Sequence, residues 1–407
     1  MSWIVKSLPY AILLFTIGFG WFGLAPLVPY LMHALSATEA EVLIILSSAY
    51  GGAFIVVGLI SGWLSAKVSL KGTIILAAVL SFIGLVIRVV SPDYIIFLVA
   101  SVIAALAYPL AMAPIGAVAV SIDKTKTQSI TGMSLGGFFL GMAGGSLLNP
   151  LIYESVALRG TLAVTAILSL LALIYIIVGG KDYPSKYQQR SLRGVFKMGM
   201  VNNWYSGFIV PATTVMFGGI ATGILLLHKL GAMAAVYGGL FGSLAFIGSA
   251  LGTIILPAVF EKANKEKVGY ISMSFLAFVF VLVMAYSLSY TVDIALIAAA
   301  FFFFGLFADT LWSMELEGVT KYVEDPAKAG FATSLMQVAG NFGVFIIPAL
   351  LGPLFSVPSS VSIAIGVVAV LFFILFVASF FLRTDKVSPS GQQKPADSKP
   401  KAAKPSK

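Results

Sequence analysis

The chain has 407 residues, of which 59% are hydrophobic and only 10% charged, with a mean hydropathy of +1.02. A soluble domain carries about 25% charged residues, so this composition excludes a soluble fold and indicates a polytopic membrane protein. The net charge is +9, the absence of cysteine excludes disulfides and thiolate metal sites, and two histidines, His33 and His228, are too few for a histidine metal cluster.

Crossing the hydrocarbon of a bilayer takes about 20 apolar residues. Twelve stretches meet this requirement: 8–32, 40–65, 72–91, 95–121, 128–152, 156–179, 203–228, 232–258, 268–289, 292–314, 328–354 and 358–382. Span one is too long for the apolar region of a signal peptide and contains Pro26 and Pro29, so it is expected to remain in the mature chain. Thr38 and Glu41 have the spacing of a capping box opening span two. Spans two and three are joined by "GLISGWLSAKVSLKG", a short basic link with no acid. Span five carries Gly137, Gly141 and Gly145 at spacings of four, which suits close helix packing. The longest internal connection contains "KDYPSKYQQRSLRGVFK" and divides the spans six and six. The last stretch, rich in Pro, Ser and Lys, cannot bury enough apolar area to fold.

The expected architecture is therefore an all-α polytopic membrane protein with twelve transmembrane helices in two six-helix bundles. Residues 1–180 form the N-terminal bundle, 181–202 a central cytoplasmic loop, 203–382 the C-terminal bundle and 383–407 a disordered basic tail. With both termini on one side, 22 of the 25 Lys and Arg fall on that side; Arg88, Arg159 and Lys229 fall on the other. The positive-inside rule then puts both termini in the cytoplasm of a cell-membrane protein. It also explains the net charge: the basic residues face anionic lipid headgroups, and no nucleic-acid partner is needed.

Two sets of six helices, a central loop and a basic link between spans two and three resemble the major facilitator superfamily. The family motif in that link runs Gly-x-Leu-x-Asp-Arg/Lys-x-Gly-Arg/Lys-Arg/Lys. Gly62, Leu64, Lys67 and Lys71 match it, while Ala66 and Ser69 replace the aspartate and the second glycine. A partial echo follows span eight, where Glu261 and Lys262 stand in the acid–base positions. Spans five and eleven also repeat: Gly132, Gly145 and Pro150 match Gly330, Gly343 and Pro348 at an offset of 198. Span five resembles the glycine-rich fifth helix of family antiporters but lacks its Gly-Pro pair. The resemblance implies a secondary transporter, usually a monomer, with its solute site between the halves near mid-membrane. It also implies a cytoplasmic latch. Asp123 is expected to substitute in part for the acid lost at Ala66 by pairing with Lys67 or Lys71, and Glu315 and Glu317 to pair with Lys262 or Lys265.

Of 16 acids, 15 lie in links, at helix ends or in the tail; Asp309 is the exception. It stands sixteen residues from Asp293, or about 24 Å along a helix. A carboxylate in hydrocarbon is costly and should face a cavity or a partner, which makes Asp309 the candidate for proton coupling or cation binding. Gly305, Trp312 and Ser313 share a face of the same helix. Span eleven carries Ser334, Gln337 and Asn341; spans one, two and four offer Tyr10, Thr16, Trp21, Tyr50 and Tyr108. Trp21, Tyr50, Tyr108, Trp312, Gln337 and Asn341 are the candidate cavity residues. An aromatic lining with a few polar groups suits an organic solute. No Lys or Arg is expected deep in a span, and Arg88 is expected to snorkel outward from span three. Family members that move phosphate esters or nitrate place arginines in the cavity, so the resemblance, with no such arginine expected here, favours a neutral or cationic solute.

The weighed alternatives are a passive facilitator or small-anion carrier on the same fold, a non-transporting membrane sensor, and an intramembrane enzyme. The last is disfavoured because no histidine within a span is available to activate a serine. No phosphate-binding loop is present, so no nucleotide cofactor is expected and the energy should come from a gradient.

Overall fold

In lipid the backbone must satisfy its own hydrogen bonds, which leaves helices as the available structure for apolar runs of this length. The structure is a computed structural model describing residues 3–67, 69–123, 127–180, 183, 195–322 and 326–384. For Gly62, Lys67, Glu261 and Lys262 only the backbone is described. Every regular element among the described residues is helical. Span one runs Trp3–Leu35, span two Glu39–Ser61, span three Leu70–Val90 and span four Tyr94–Met112. Ile130–Gly179 is one continuous apolar segment. It breaks at Ala157, where φ is 55°, and so supplies spans five and six. Span seven is Met200–Leu227, eight Met233–Pro257, nine Glu266–Tyr290, ten Ile294–Leu316, eleven Ala332–Phe355 and twelve Val361–Ser379. Most of the expected central loop and the tail lie outside the described residues.

Breaks within the spans have local causes. Pro26 cannot donate its backbone nitrogen, and span one passes through a 3-10 turn at Ala25–Leu27 before resuming. Span two opens with the expected capping box: Glu41 N–H donates to Thr38 Oγ1 at 3.3 Å, and Thr38 N–H donates to Glu41 Oε2 at 2.7 Å. The helix then widens into a π turn at Ile44–Ser48.

The two halves repeat each other. Asp93 caps span four by accepting from Ile96 N–H at 2.9 Å. Asp293 caps span ten by accepting from Leu296 N–H at 3.0 Å. Span five lays Gly137, Gly141 and Gly145 against the backbone carbonyls of Ala11, Phe15 and Phe19 in span one. A side chain at any of these glycines would collide with those carbonyls, so the stripe serves helix packing. Gly343 of span eleven lies against Phe208 O of span seven in the same way. Large apolar side chains such as Ile95, Leu171, Ile255 and Leu350 are exposed, which is the surface a bilayer requires.

The halves meet firmly at the end opposite the termini. Ser356 Oγ donates to Glu39 Oε1 at 3.1 Å, Ser146 Oγ to Gly239 O at 3.0 Å, and Ser48 Oγ to Phe345 O at 2.8 Å. The Phe22 ring fills the space left by Gly218 and meets the edge of Phe246 at 4.5 Å.

Candidate functional site

Beneath the Phe22–Phe246 contact lies a cavity of about 540 Å³, including its mouth, between the two halves. Spans one, four and five contribute Trp21, Tyr108, Phe138, Phe139 and Met142. Spans seven, eight, ten and eleven contribute Thr214, Phe246, Asp309, Trp312, Gln337 and Asn341, among others. Five of the six candidate cavity residues, together with Asp309, thus line one space. The sixth, Tyr50, stands behind the wall and stacks on Trp21, with ring centroids 4.2 Å apart and planes 2° from parallel. Tyr108 continues the aromatic wall, 5.0 Å from Trp21 and stacked on Phe138 at 5.4 Å.

The wall is held from behind. Trp21 donates its indole N–H to Leu46 O at 2.5 Å, within the π turn of span two. A π turn leaves carbonyls displaced from the regular ladder, and the indole uses one. Tyr10, one of the polar groups of span one, donates instead to Ala111 O at 2.5 Å and ties spans one and four together.

Arg88 departs from the outward-pointing arrangement expected for it. It is 1% exposed. Its Nε donates to Ser101 Oγ at 2.9 Å, Nη1 to Gly20 O at 2.9 Å and Nη2 to Tyr50 OH at 3.3 Å. The guanidinium also sits 5.7 Å from the Phe97 ring centre. Its long stem reaches inward because three oxygens wait there, including a carbonyl freed where span one breaks. A buried arginine is therefore present, but it is not among the cavity lining.

Asp309 is 2% exposed and reaches the cavity. Ser249 of span eight lies with its Oγ 2.5 Å from Asp309 Oδ2 and 2.8 Å from Ala245 O. A serine hydroxyl has one hydrogen to give. With Asp309 ionised, Ser249 donates to the carboxylate. With Asp309 protonated, the acid donates to Ser249 and Ser249 donates to Ala245 O. The same atoms accommodate both states without moving. Other polar atoms in the wall have no hydrogen-bond partner among the described residues: Trp312 Nε1, Gln337 Oε1 and Asn341 Oδ1. They are free for a solute or water, and two of the three are acceptors.

Gly305 makes this arrangement possible. A Cβ there would run into Ala245 O and come within 2.9 Å of Ser249 Oγ. Gly305→Ala should therefore push spans eight and ten apart. Overpacking of this kind costs about 1–3 kcal/mol, read as a lower unfolding temperature; an unchanged temperature would contradict the contact.

The residues expected at a gate are more scattered. Lys71 and Asp123 are half-buried near helix ends. The backbones of Gly62 and Lys67 lie at the end of span two's helix, and those of Glu261 and Lys262 at the end of span eight's; their side chains lie outside the description. Glu315 is not paired with Lys265: it is 1% exposed, whereas Lys265 is exposed, and the side chains of Glu317 and of the other expected partner, Lys262, lie outside the described residues. Asn203 Nδ2 donates to Glu315 O at 3.2 Å and Tyr270 OH to Met314 O at 3.2 Å, turning this part of span ten inward. At this end an ion pair joins Lys321 and Glu266 instead.

Phe138, Phe139, Phe246 and Ser249 are site residues that sequence reasoning missed. The two adjacent phenylalanines interrupt the glycine stripe of span five, which was the available signal. Ser249 had none, since its partner is sixty residues away.

No curated protein matches the chain closely enough to suggest a substrate. The family model for the Major Facilitator Superfamily matches residues 10–346. A twelve-helix fold in two halves, a buried cavity between them and a match over most of the chain lead to one conclusion: this chain belongs to the Major Facilitator Superfamily, multi-pass membrane proteins that are secondary transporters of small solutes rather than enzymes.

Proposed function

We propose that the chain carries a small organic solute, neutral or cationic, across the cell membrane by alternating access, coupled to protons through Asp309. The observation that carries this reading is Asp309 itself: a buried acid in the cavity wall with a hydrogen-bond partner suited to both of its protonation states. Burying a charge in apolar surroundings is expensive unless it is compensated. A proton or a cationic solute supplies that compensation, and exchange between the two is a coupling mechanism. The aromatic wall favours the face of an organic cation or ring, and the orphan acceptors of Gln337 and Asn341 favour a solute with donors. The lining includes no Lys or Arg to receive an anion.

Both termini are assigned to the cytoplasm by the distribution of Lys and Arg. The firm contact opposite them then closes the outer end. Residues 1–180 and 203–382 act as the two moving bundles, and Lys67, Lys71 and Asp123 as a brace between states at the cytoplasmic end.

The test is solute-driven proton movement in proteoliposomes containing a pH-sensitive dye, across a panel of neutral, cationic and anionic solutes. A pH change with a neutral or cationic member is the expected result. Uptake without proton movement would make the chain a facilitator, and a response confined to anions would overturn the solute class.

A further inference from the structure

Near the termini end of span ten, six residues beyond Asp309, the Glu315 carboxyl is buried outside the cavity lining. Neither of its oxygens has a hydrogen-bond partner among the described residues. The Ser206 hydroxyl of span seven faces it, outside hydrogen-bonding geometry. Two further orphans share the place: Ser206 Oγ itself and Asn203 Oδ1. Asn203 spends an amide hydrogen on the Glu315 backbone carbonyl at 3.2 Å.

The donor count is what makes this cluster informative. Glu315 Oε1 and Oε2, Ser206 Oγ and Asn203 Oδ1 are four oxygens, and the Ser206 hydroxyl holds the one hydrogen on them when Glu315 is ionised. The surrounding charged and titratable groups do not make up the deficit. Lys321 is engaged by Glu266. The Arg383 guanidinium lies over the Tyr322 ring at 5.8 Å, and the Tyr322 hydroxyl, which faces Glu315 beyond hydrogen-bonding distance, is hydrogen-bonded to the Arg383 backbone. Tyr270 gives its hydroxyl hydrogen to Met314 O. Span seven brings no acid or base, and its Tyr205 donates to Leu371 O. The side chains of Glu261, Lys262 and Lys328 lie outside the description. A lone buried carboxylate without hydrogen bonds or a cation is among the most costly states a protein can hold.

We propose that Glu315, with Ser206 and Asn203, is a second proton-binding site, separate from the cavity acid and loaded when spans seven and ten pack as they do here. A proton adds the missing donor and removes the charge. It also needs no room, and Glu315 is not part of the cavity in which a hydrated metal ion could sit. A local parting of spans seven and ten within the C-terminal bundle would admit water to the carboxyl and let the proton leave toward the termini end. Proton binding stands on the cluster alone; its role in transport rests on the proton-coupled reading of Asp309.

The experiment is pH-difference infrared spectroscopy of the full chain in liposomes, comparing wild type, Glu315→Gln and Asp309→Asn. A protonated carboxyl has a carbonyl band distinct from that of a carboxylate. The expected result at neutral pH is a protonated component lost in Glu315→Gln and retained in Asp309→Asn. Ser206→Ala leaves the acid in place and should shift that component, which keeps the test valid if Glu315→Gln folds poorly. Identical protonated bands in wild type and Glu315→Gln would overturn the proposal. So would conversion of the component to carboxylate on adding sodium at fixed pH, because the site would then be a metal-ion site. The proton-to-solute ratio in the flux assay should fall in Glu315→Gln, and an unchanged ratio would overturn the role in transport. If wild type shows no solute-driven proton movement while the band is present, the coupling reading fails and the second proton site stands.

Discussion

Asp309→Asn is expected to abolish solute-driven proton movement while leaving the protein folded. Asparagine has nearly the same shape as aspartic acid and cannot take up or release a proton at neutral pH. Its amide can donate to Ser249 Oγ while Ser249 donates to Ala245 O, the same pattern that protonated Asp309 makes. The variant is therefore fixed in the geometry of the neutral state. A cationic solute loses its counter-charge as well. Hydrogen bonds to charged groups are worth about 1.5–3 kcal/mol, so affinity for a cation should fall about 10–150-fold. A neutral solute should bind nearly as before and equilibrate without accumulating. The measurement is uptake against a proton gradient, with counterflow to report binding and exchange. Accumulation at the wild-type level in Asp309→Asn would remove Asp309 from the coupling path and leave it as a wall residue.

This acid was legible in the sequence because isolation is a one-dimensional property. A carboxylate far from either end of an apolar run stands out whichever way its helix turns. The twelve spans were legible for a similar reason, since length and hydropathy do not depend on packing. The Thr38–Glu41 cap is local and could be read from spacing. Rotation about a helix axis could not be read in the same way. Span three is apolar on nearly every side, so nothing in it told whether Arg88 turned to the headgroups or to the interior. Glu315 sits close to a helix end, where acids commonly meet water, and only the bonds of Asn203 and Tyr270 show that its face turns inward. Phe138 and Phe139 stand between the glycines of a packing stripe. The stripe does pack on span one, yet the two rings leave its edge and reach the cavity.

Arg88→Met should cost about 2–5 kcal/mol of stability. The figure is the sum of lost charge-assisted hydrogen bonds, reduced by the desolvation that methionine does not require. The Gly20 carbonyl is the sensitive partner. Leu24 N–H turns to Trp21 O at 3.5 Å as span one passes into its 3-10 turn, so Gly20 O depends on Arg88 Nη1. Removing the guanidinium leaves that carbonyl, Ser101 and the Tyr50 hydroxyl without it, and Tyr50 is the ring on which Trp21 stacks. The loss should therefore reach the cavity wall: weaker solute binding and a changed Trp21 fluorescence below the unfolding temperature. Arg88→Lys keeps the charge but not the planar fork that serves three acceptors at once, and should fall between wild type and Arg88→Met. Thermal unfolding in detergent, followed through tryptophan emission, separates these cases. If Arg88→Met unfolds at the wild-type temperature, the three hydrogen bonds only replace solvation that the arginine would find elsewhere. In that case Trp21 is held in the wall by its indole bond to Leu46 and by its ring contacts, independently of Arg88.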